Sequence, residues 1–163
     1  MKGMHIMDLK NVKMGSERYR KLHRELWNGI ATEVWILYKS GKLREYNPYM
    51  IKGNVIDVML TNGLITNGEY EECKVNAFCF ACVYTTRCYW TDKEAGGSRC
   101  SHCIIKWVEN GENTCTNENS LYYMFINLID KIQCGFVVLN DNVVNELEGL
   151  ARQIANMEWN KYE

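Results

Sequence analysis

Proline occurs only at Pro48, and no stretch rich in Gly, Ser or Pro marks a linker. Repeats and low-complexity runs are also missing, which excludes a solenoid array or a long disordered tether. Nowhere do about 18 consecutive apolar residues occur, so no segment has the length of a membrane-crossing helix. The first eight residues, Met1 to Asp8, lack the apolar run that a signal peptide needs. Charge of one sign is not in excess either, with 19 Lys and Arg against 20 Asp and Glu for a net of -1. Sequence-independent attraction to nucleic acid needs a basic face, and this balance advertises none.

Histidine is scarce, limited to His5, His23 and His102. A zinc deaminase needs H-x-E and P-C-x-x-C; the H-x-E is missing and no proline precedes either Cys-x-x-Cys pair. An HNH-type nuclease sets a catalytic histidine and a second metal beside its zinc module, and the chain has little histidine to supply them. The phosphate-cradling and nucleophile-elbow glycine motifs are absent as well. The sequence therefore shows no catalytic constellation, and the expectation is a protein without enzymatic activity.

What the chain does have is cysteine, eight residues in 163. With no export signal in view, the expected compartment is a reducing cytoplasm, where cysteines read as metal ligands and thiols rather than as a disulfide framework. The apolar fraction of 47% is that of an ordinary globular domain. The expected architecture is a single, mainly α domain carrying a small irregular zinc-knuckle module. That module covers about residues 74–115, between an N-terminal helical part (16–72) and a C-terminal one (120–160).

Cys79-Phe80-Ala81-Cys82 and Cys100-Ser101-His102-Cys103 are two Cys-x-x-Cys pairs separated by seventeen residues. Two residues between thiolates let one tight turn present both sulfurs about 2.3 Å from a single ion, and a second such turn closes a tetrahedron. Four thiolates leave no open position, so the pattern predicts one structural Zn2+ held by Cys79, Cys82, Cys100 and Cys103. Cys73, Cys88 and His102 are near enough in sequence to compete for a place in that set, while Cys115 and Cys134 lie farther off. A rubredoxin-like knuckle wants a residue of positive φ after its second cysteine, and the β-branched Val83 and Ile104 disfavour it. Ile104 to Val108 can instead begin a short helix from the second knuckle, in a treble-clef-like arrangement, its N–H groups partly offsetting the thiolate charge. Arg87, Arg99 and Lys106 stand close in sequence to compensate the rest.

Around this module the spacing predicts helices. Tyr19, Leu22, His23, Leu26, Trp27, Ile30, Val34 and Trp35 recur at three- and four-residue intervals, so a helix is expected over Ser16–Tyr38 with Ser16 as N-cap and Gly41 beyond its end. His23 on that face reads as a hydrogen-bonded, partly buried residue. A helix from Tyr49 to Leu60 should stop at Asn62-Gly63, with a strand as the alternative, and Thr66 or Asn67 can cap one more turn through Glu69 to Glu71. The acids Glu69, Glu71 and Glu72 read as a solvated face. Ser120 should cap a helix closed by Gly135, Phe136 to Leu139 should be a connector or strand, and Asp141 should cap a last helix. In that helix Val144, Leu147, Leu150, Ala151 and Ile154 face inward, with Trp159 pinning its end.

The helix text Lys21-Leu22-His23-Arg24-Glu25-Leu26-Trp27 followed by Cys-Phe-Ala-Cys-Val-Tyr and Cys-Ser-His-Cys-Ile-Ile-Lys-Trp resembles a family of small zinc-knuckle proteins of phages and Firmicutes. These share a KLH-x-x-LW helix, two such knuckles and a closing helix ending in Trp, here Leu147 to Trp159. Lys39–Asn76 and Cys115–Asn140 have no counterpart in the resemblance, which covers about half of the chain. The resemblance implies a phage or prophage origin and a metal knuckle, without an activity. The leading expectation is a zinc-stabilised accessory protein that binds a host macromolecule, foremost a host protein, with interference in host defence as one form. Phe80, Tyr84, Arg87, Trp90, Arg99, Lys106 and Trp107 are the candidate interface, since aromatic residues and arginine dominate binding hot spots. The alternatives are a nucleic-acid-binding zinc finger, using Arg87, Lys93, Arg99 and Lys106, and a metal-dependent hydrolase or nuclease.

Overall fold

The computed structural model describes residues 9–76, 105–109, 115 and 117–159, with side chains described for 17–74 and for the later stretches. Among these residues the chain is helical, with no strand: α1 Leu9–Lys39, a 3-10 turn Leu43–Glu45, α2 Pro48–Thr61, α3 Asn67–Glu71 running into a π turn Glu72–Asn76, α4 Leu121–Gln133 and α5 Asp141–Ala155. The mainly α architecture expected from the spacing is what forms. The helix on Pro48 rather than a strand follows from its caps. Asn47 Oδ1 accepts the Met50 N–H at 2.9 Å, and proline, which has no N–H to satisfy, sits at the first helical position.

Helix ends agree with the local chemistry in most places. Thr66 and Glu69 form a reciprocal capping box, Ser120 Oγ accepts from the Tyr123 N–H at 3.0 Å, and Gly41, Gly63 and Gly135 close three helices at φ of 74°, 74° and 77°. Two caps fall elsewhere than expected. Ser16 lies inside α1, which begins at Leu9, so the serine does not start the helix. Asn140, not Asp141, caps α5: its Oδ1 accepts from Val143 N at 3.1 Å, and Asp141 is the first helical residue, where a carboxylate still faces the positive helix end.

α1 is the hub. Tyr19, Leu22, His23, Leu26, Trp27, Ile30, Ala31, Val34 and Leu37 make one buried stripe, against which α5 and α2 pack. α5 runs antiparallel to α1. His23 meets Ile154, Asn28 meets Arg152, Trp35 Nε1 donates to Glu148 at 3.1 Å, and Tyr38 donates to Asp141 at 2.8 Å. These four links run along α1 in order while descending α5, holding the pair in register over about 22 Å at 1.5 Å per residue. α4 packs on α5 and sends Phe125 and Tyr122 edge-on to Trp27. The buried apolar side chains of all these elements form one continuous core.

Gly29, which looks like a flaw in the α1 pattern, has a packing reason. A β-carbon there would stand 2.5 Å from Val55 Cγ1, so the glycine makes room for the Val55 side chain of α2 against α1. Leu150 is only partly buried, unlike Val144, Leu147, Ala151 and Ile154. Phe136 to Leu139 is a connector, with Phe136 and Val138 exposed.

Candidate metal centre and a histidine cleft

Cys79, Cys82, Cys100 and Cys103 lie outside the described residues, as do Phe80, Tyr84, Arg87, Trp90 and Arg99, and with them Cys88 and His102. The zinc tetrahedron therefore stands on donor chemistry and spacing. Among the described residues no three His, Cys, Asp or Glu side chains converge as a metal site.

The structure does show how the flanks of the cysteine segment are held. On the leading side Cys73 is fully buried, as a small hydrophobe would be. Its carbonyl accepts a 2.7 Å hydrogen bond from Lys52 Nζ. Lys52 is itself only 2% exposed, with its ammonium 5.6 Å from the centre of the Tyr49 ring. A buried ammonium is costly unless its hydrogen bonds are met, so this contact fixes α2 to the π turn where the segment begins. Just outside it, Tyr70 donates to Asp57 at 2.7 Å and Lys74 donates to Tyr70 at 2.5 Å. The Tyr70 hydroxyl is the main cause that raises the Lys74 ammonium above its ordinary value.

On the trailing side Ile105, Trp107 and Val108 are buried while Lys106 and Glu109 point outward. Residues 105–109 are not helical, so the helix expected from Ile104 to Val108 does not form in them. Trp107 packs edge-on against Tyr122 at 6.1 Å, so it belongs to the core and not to an outward interface. Lys106 is exposed and pairs with Glu109 at 3.2 Å. Farther along, Ser120 Oγ donates to the Cys115 carbonyl while capping α4.

Glu69 departs from the expected solvated face. It is 6% exposed and takes a two-pronged bond from Arg18, Nε to Oε2 at 2.8 Å and Nη2 to Oε1 at 2.5 Å, while Oε1 also accepts from Thr66 N. The Arg18 bond leads the causes that hold its carboxyl below the usual range.

A second candidate site lies where α1 meets the chain leaving α5. A cleft of about 250 Å³ is bounded by Arg20, His23 and Arg24 from α1 and by Asn156, Glu158 and Trp159 from the other side. Arg20 Nη2 donates to the Trp159 carbonyl at 2.6 Å, and the His23 and Trp159 rings meet edge-on at 5.6 Å. His23 is 1% exposed, and its Nε2 lies 2.8 Å from the Ile154 carbonyl. A carbonyl only accepts, so Nε2 carries the proton and Nδ1 is left as an acceptor. Nδ1 is buried and has no partner. Burial pushes the imidazole down to about 4, well below its ordinary value, and the nearby Arg24 charge adds to the effect. The ring is therefore neutral at pH 7. Reading the sequence gave His23 its hydrogen bond but not this cleft, because the other wall comes from residues more than a hundred positions away.

No helix among the described residues is long and apolar enough to cross a membrane. No protein-family model, curated protein or solved structure matches the chain.

Proposed function

We propose that this chain is a zinc-stabilised binding protein without catalytic activity, whose cysteine segment presents aromatic and arginine side chains to a partner protein. The observation that carries the reading is the anchoring of both flanks. Lys52 clamps the backbone at Cys73, and Ile105, Trp107 and Val108 bury into the helical core after the second pair. A segment tied at both ends and stapled by one Zn2+ on Cys79, Cys82, Cys100 and Cys103 is pre-organised, and pre-organisation lowers the entropy cost of binding. Phe80, Tyr84, Arg87, Trp90 and Arg99 are of the residue types that supply binding energy at protein interfaces. The resemblance to phage and Firmicutes zinc-knuckle proteins, which supplies no activity, points to a host protein as the partner, with interference in host defence as one form of the function.

The test uses the tagged full-length chain, with metal analysis of the purified protein and affinity capture from a Firmicutes lysate. One zinc per chain is expected, together with a captured protein that survives nuclease treatment. Trp90→Ala with Tyr84→Ala should keep the zinc and lose the captured protein. Cys100→Ser should lose both the metal and soluble folding, since structural zinc supplies folding free energy on the order of 10 kcal/mol. A folded, metal-free wild type would overturn the zinc reading. Capture of nuclease-sensitive material with a steep salt dependence would replace the protein partner with nucleic acid. A hydrolytic activity lost on chelation without unfolding would replace binding with catalysis.

A further inference from the structure

α4 carries more apolar surface than the core uses. Only Asn127, Asp130, Lys131 and Gln133 interrupt an otherwise apolar helix, and a helix apolar on every side belongs in an interior. Tyr122, Phe125, Ile129 and Ile132 take up the inward side. Tyr123, Asn127, Asp130 and Cys134 follow at three- and four-residue spacing along the outward side, with Met124 and Lys131 beside them. Tyr123 is 39% exposed and Met124 42%. The connector after the helix extends this surface with Phe136 at 83% and Val138 at 77%, the most exposed large apolar side chains among the described residues. Apolar side chains gathered on one helix face and the loop that follows mark a contact surface, unlike singly scattered ones. The only charges of α4 are Asp130 and Lys131. They stand next to each other near its end, both exposed, and neither is in an ion pair among the described residues.

We propose that this face binds a second copy of the chain, the two α4 helices lying antiparallel about a two-fold axis that passes between Asp130 and Lys131. The charges choose the occupant. An adjacent acid and base gain little from a partner of one sign. An inverted copy instead sets Asp130 against Lys131 of the second copy and Lys131 against its Asp130, so one contact makes two opposite-charge pairs. At 1.5 Å per residue Tyr123 stands about 11 Å from the axis, past the end of the opposing helix, where the connector of the second copy presents Phe136 and Val138. The two-fold repeats that apolar contact on the other side of the axis. One helix face and one short loop make a contact at the small end of specific interfaces, so the dimer is a weak one. The surface uses none of the cysteine segment, so self-association and capture of a host protein are separate properties.

The test is sedimentation equilibrium of the full-length chain as purified, from about 1 to about 500 μM, in reductant so that the exposed Cys134 thiol forms no disulfide. A monomer–dimer equilibrium with a Kd of about 1–100 μM is expected. Asp130→Lys and Lys131→Asp, each alone, bring like charges together across the axis and should weaken self-association at least about tenfold. Mixed in equal amounts, the two variants should associate with each other about as tightly as the wild type, because each then meets its opposite. Phe136→Ser with Val138→Ser should weaken the dimer at least about tenfold. All four positions are exposed, and an unchanged far-ultraviolet circular dichroism spectrum checks that each variant folds. A chain that stays monomeric at about 500 μM would overturn the proposal. So would a dimer indifferent to the Phe136 and Val138 changes or to either charge reversal, which places the contact elsewhere. A mixture of the two charge variants that fails to associate would rule out the two-fold.

Discussion

His23 shows how much one side chain's surroundings decide. The residue is ordinary in sequence, yet in the core its ring is held neutral down to about pH 4, while in the unfolded chain it titrates near its usual 6.5. The consequence for stability has a definite sign. Above about pH 6.5 both states hold a neutral ring and nothing is lost. As the pH falls towards 4 the unfolded chain takes up a proton that the native state refuses, so stability drops by up to about 3 kcal/mol and levels off below that. The charges facing the ring are Arg20 and Arg24 on α1 and Glu158 across the cleft. Urea titrations between pH 7 and pH 4.5 should show this fall in the wild type and a much shallower one in His23→Gln. Equal slopes would show that another group is responsible. Glu69 works the opposite way: with its carboxyl held low, the stability it adds is present above the usual carboxylate range and disappears only as acid protonates it. Its place in a run of three acids suggested a solvated face. Only the position of Arg18, fifty-one residues earlier, makes it a buried partner.

At the scale of elements, the caps were mostly legible because they are local. Asn47, Thr66 and Ser120 each satisfy N–H groups within three residues, and glycines at positive φ close the helices where no side chain fits easily. The failures have physical reasons. Ser16 has the chemistry of a cap, but an N-cap must stand where the helix begins, and α1 begins at Leu9. The run from Ile105 to Val108 has too many apolar residues for its length to distinguish helix from extended chain, and the backbone of 105–109, which is not helical, settles it. Gly29 is the clearest element-scale test. Alanine there gains roughly 0.5–1 kcal/mol of helix propensity but pushes a methyl into Val55, and overpacking of that kind costs about 1–3 kcal/mol. Thermal or chemical denaturation of Gly29→Ala should show a net loss. The loss should be recovered, and the propensity gain exposed, when Val55→Ala is added. A Gly29→Ala chain more stable than wild type would mean that α1 and α2 separate freely.

The whole molecule joins a helical core to a cysteine segment that enters and leaves it through buried residues. On the proposed zinc reading, metal loss should reach the core, because Trp107 rests on Tyr122, and Tyr122 in turn on Trp27. Chelation should remove the near-ultraviolet signal of the packed tryptophans and the cooperative melting transition, with the far-ultraviolet helical signal falling as the fold is lost. An unchanged melting curve in chelator would separate the core from the metal. The sequence by itself determined the helices, most of their ends and the four-thiolate pattern, because capping, periodicity and ligand spacing act over a few residues. Tertiary structure alone decided that Gly29 is a contact point, that Glu69 and Lys52 are buried, that Trp107 faces inward, and that His23 floors a cleft. Each of those depends on groups brought together from distant positions in the chain, and burial changes what a polar side chain costs and can do only once its neighbours are in place.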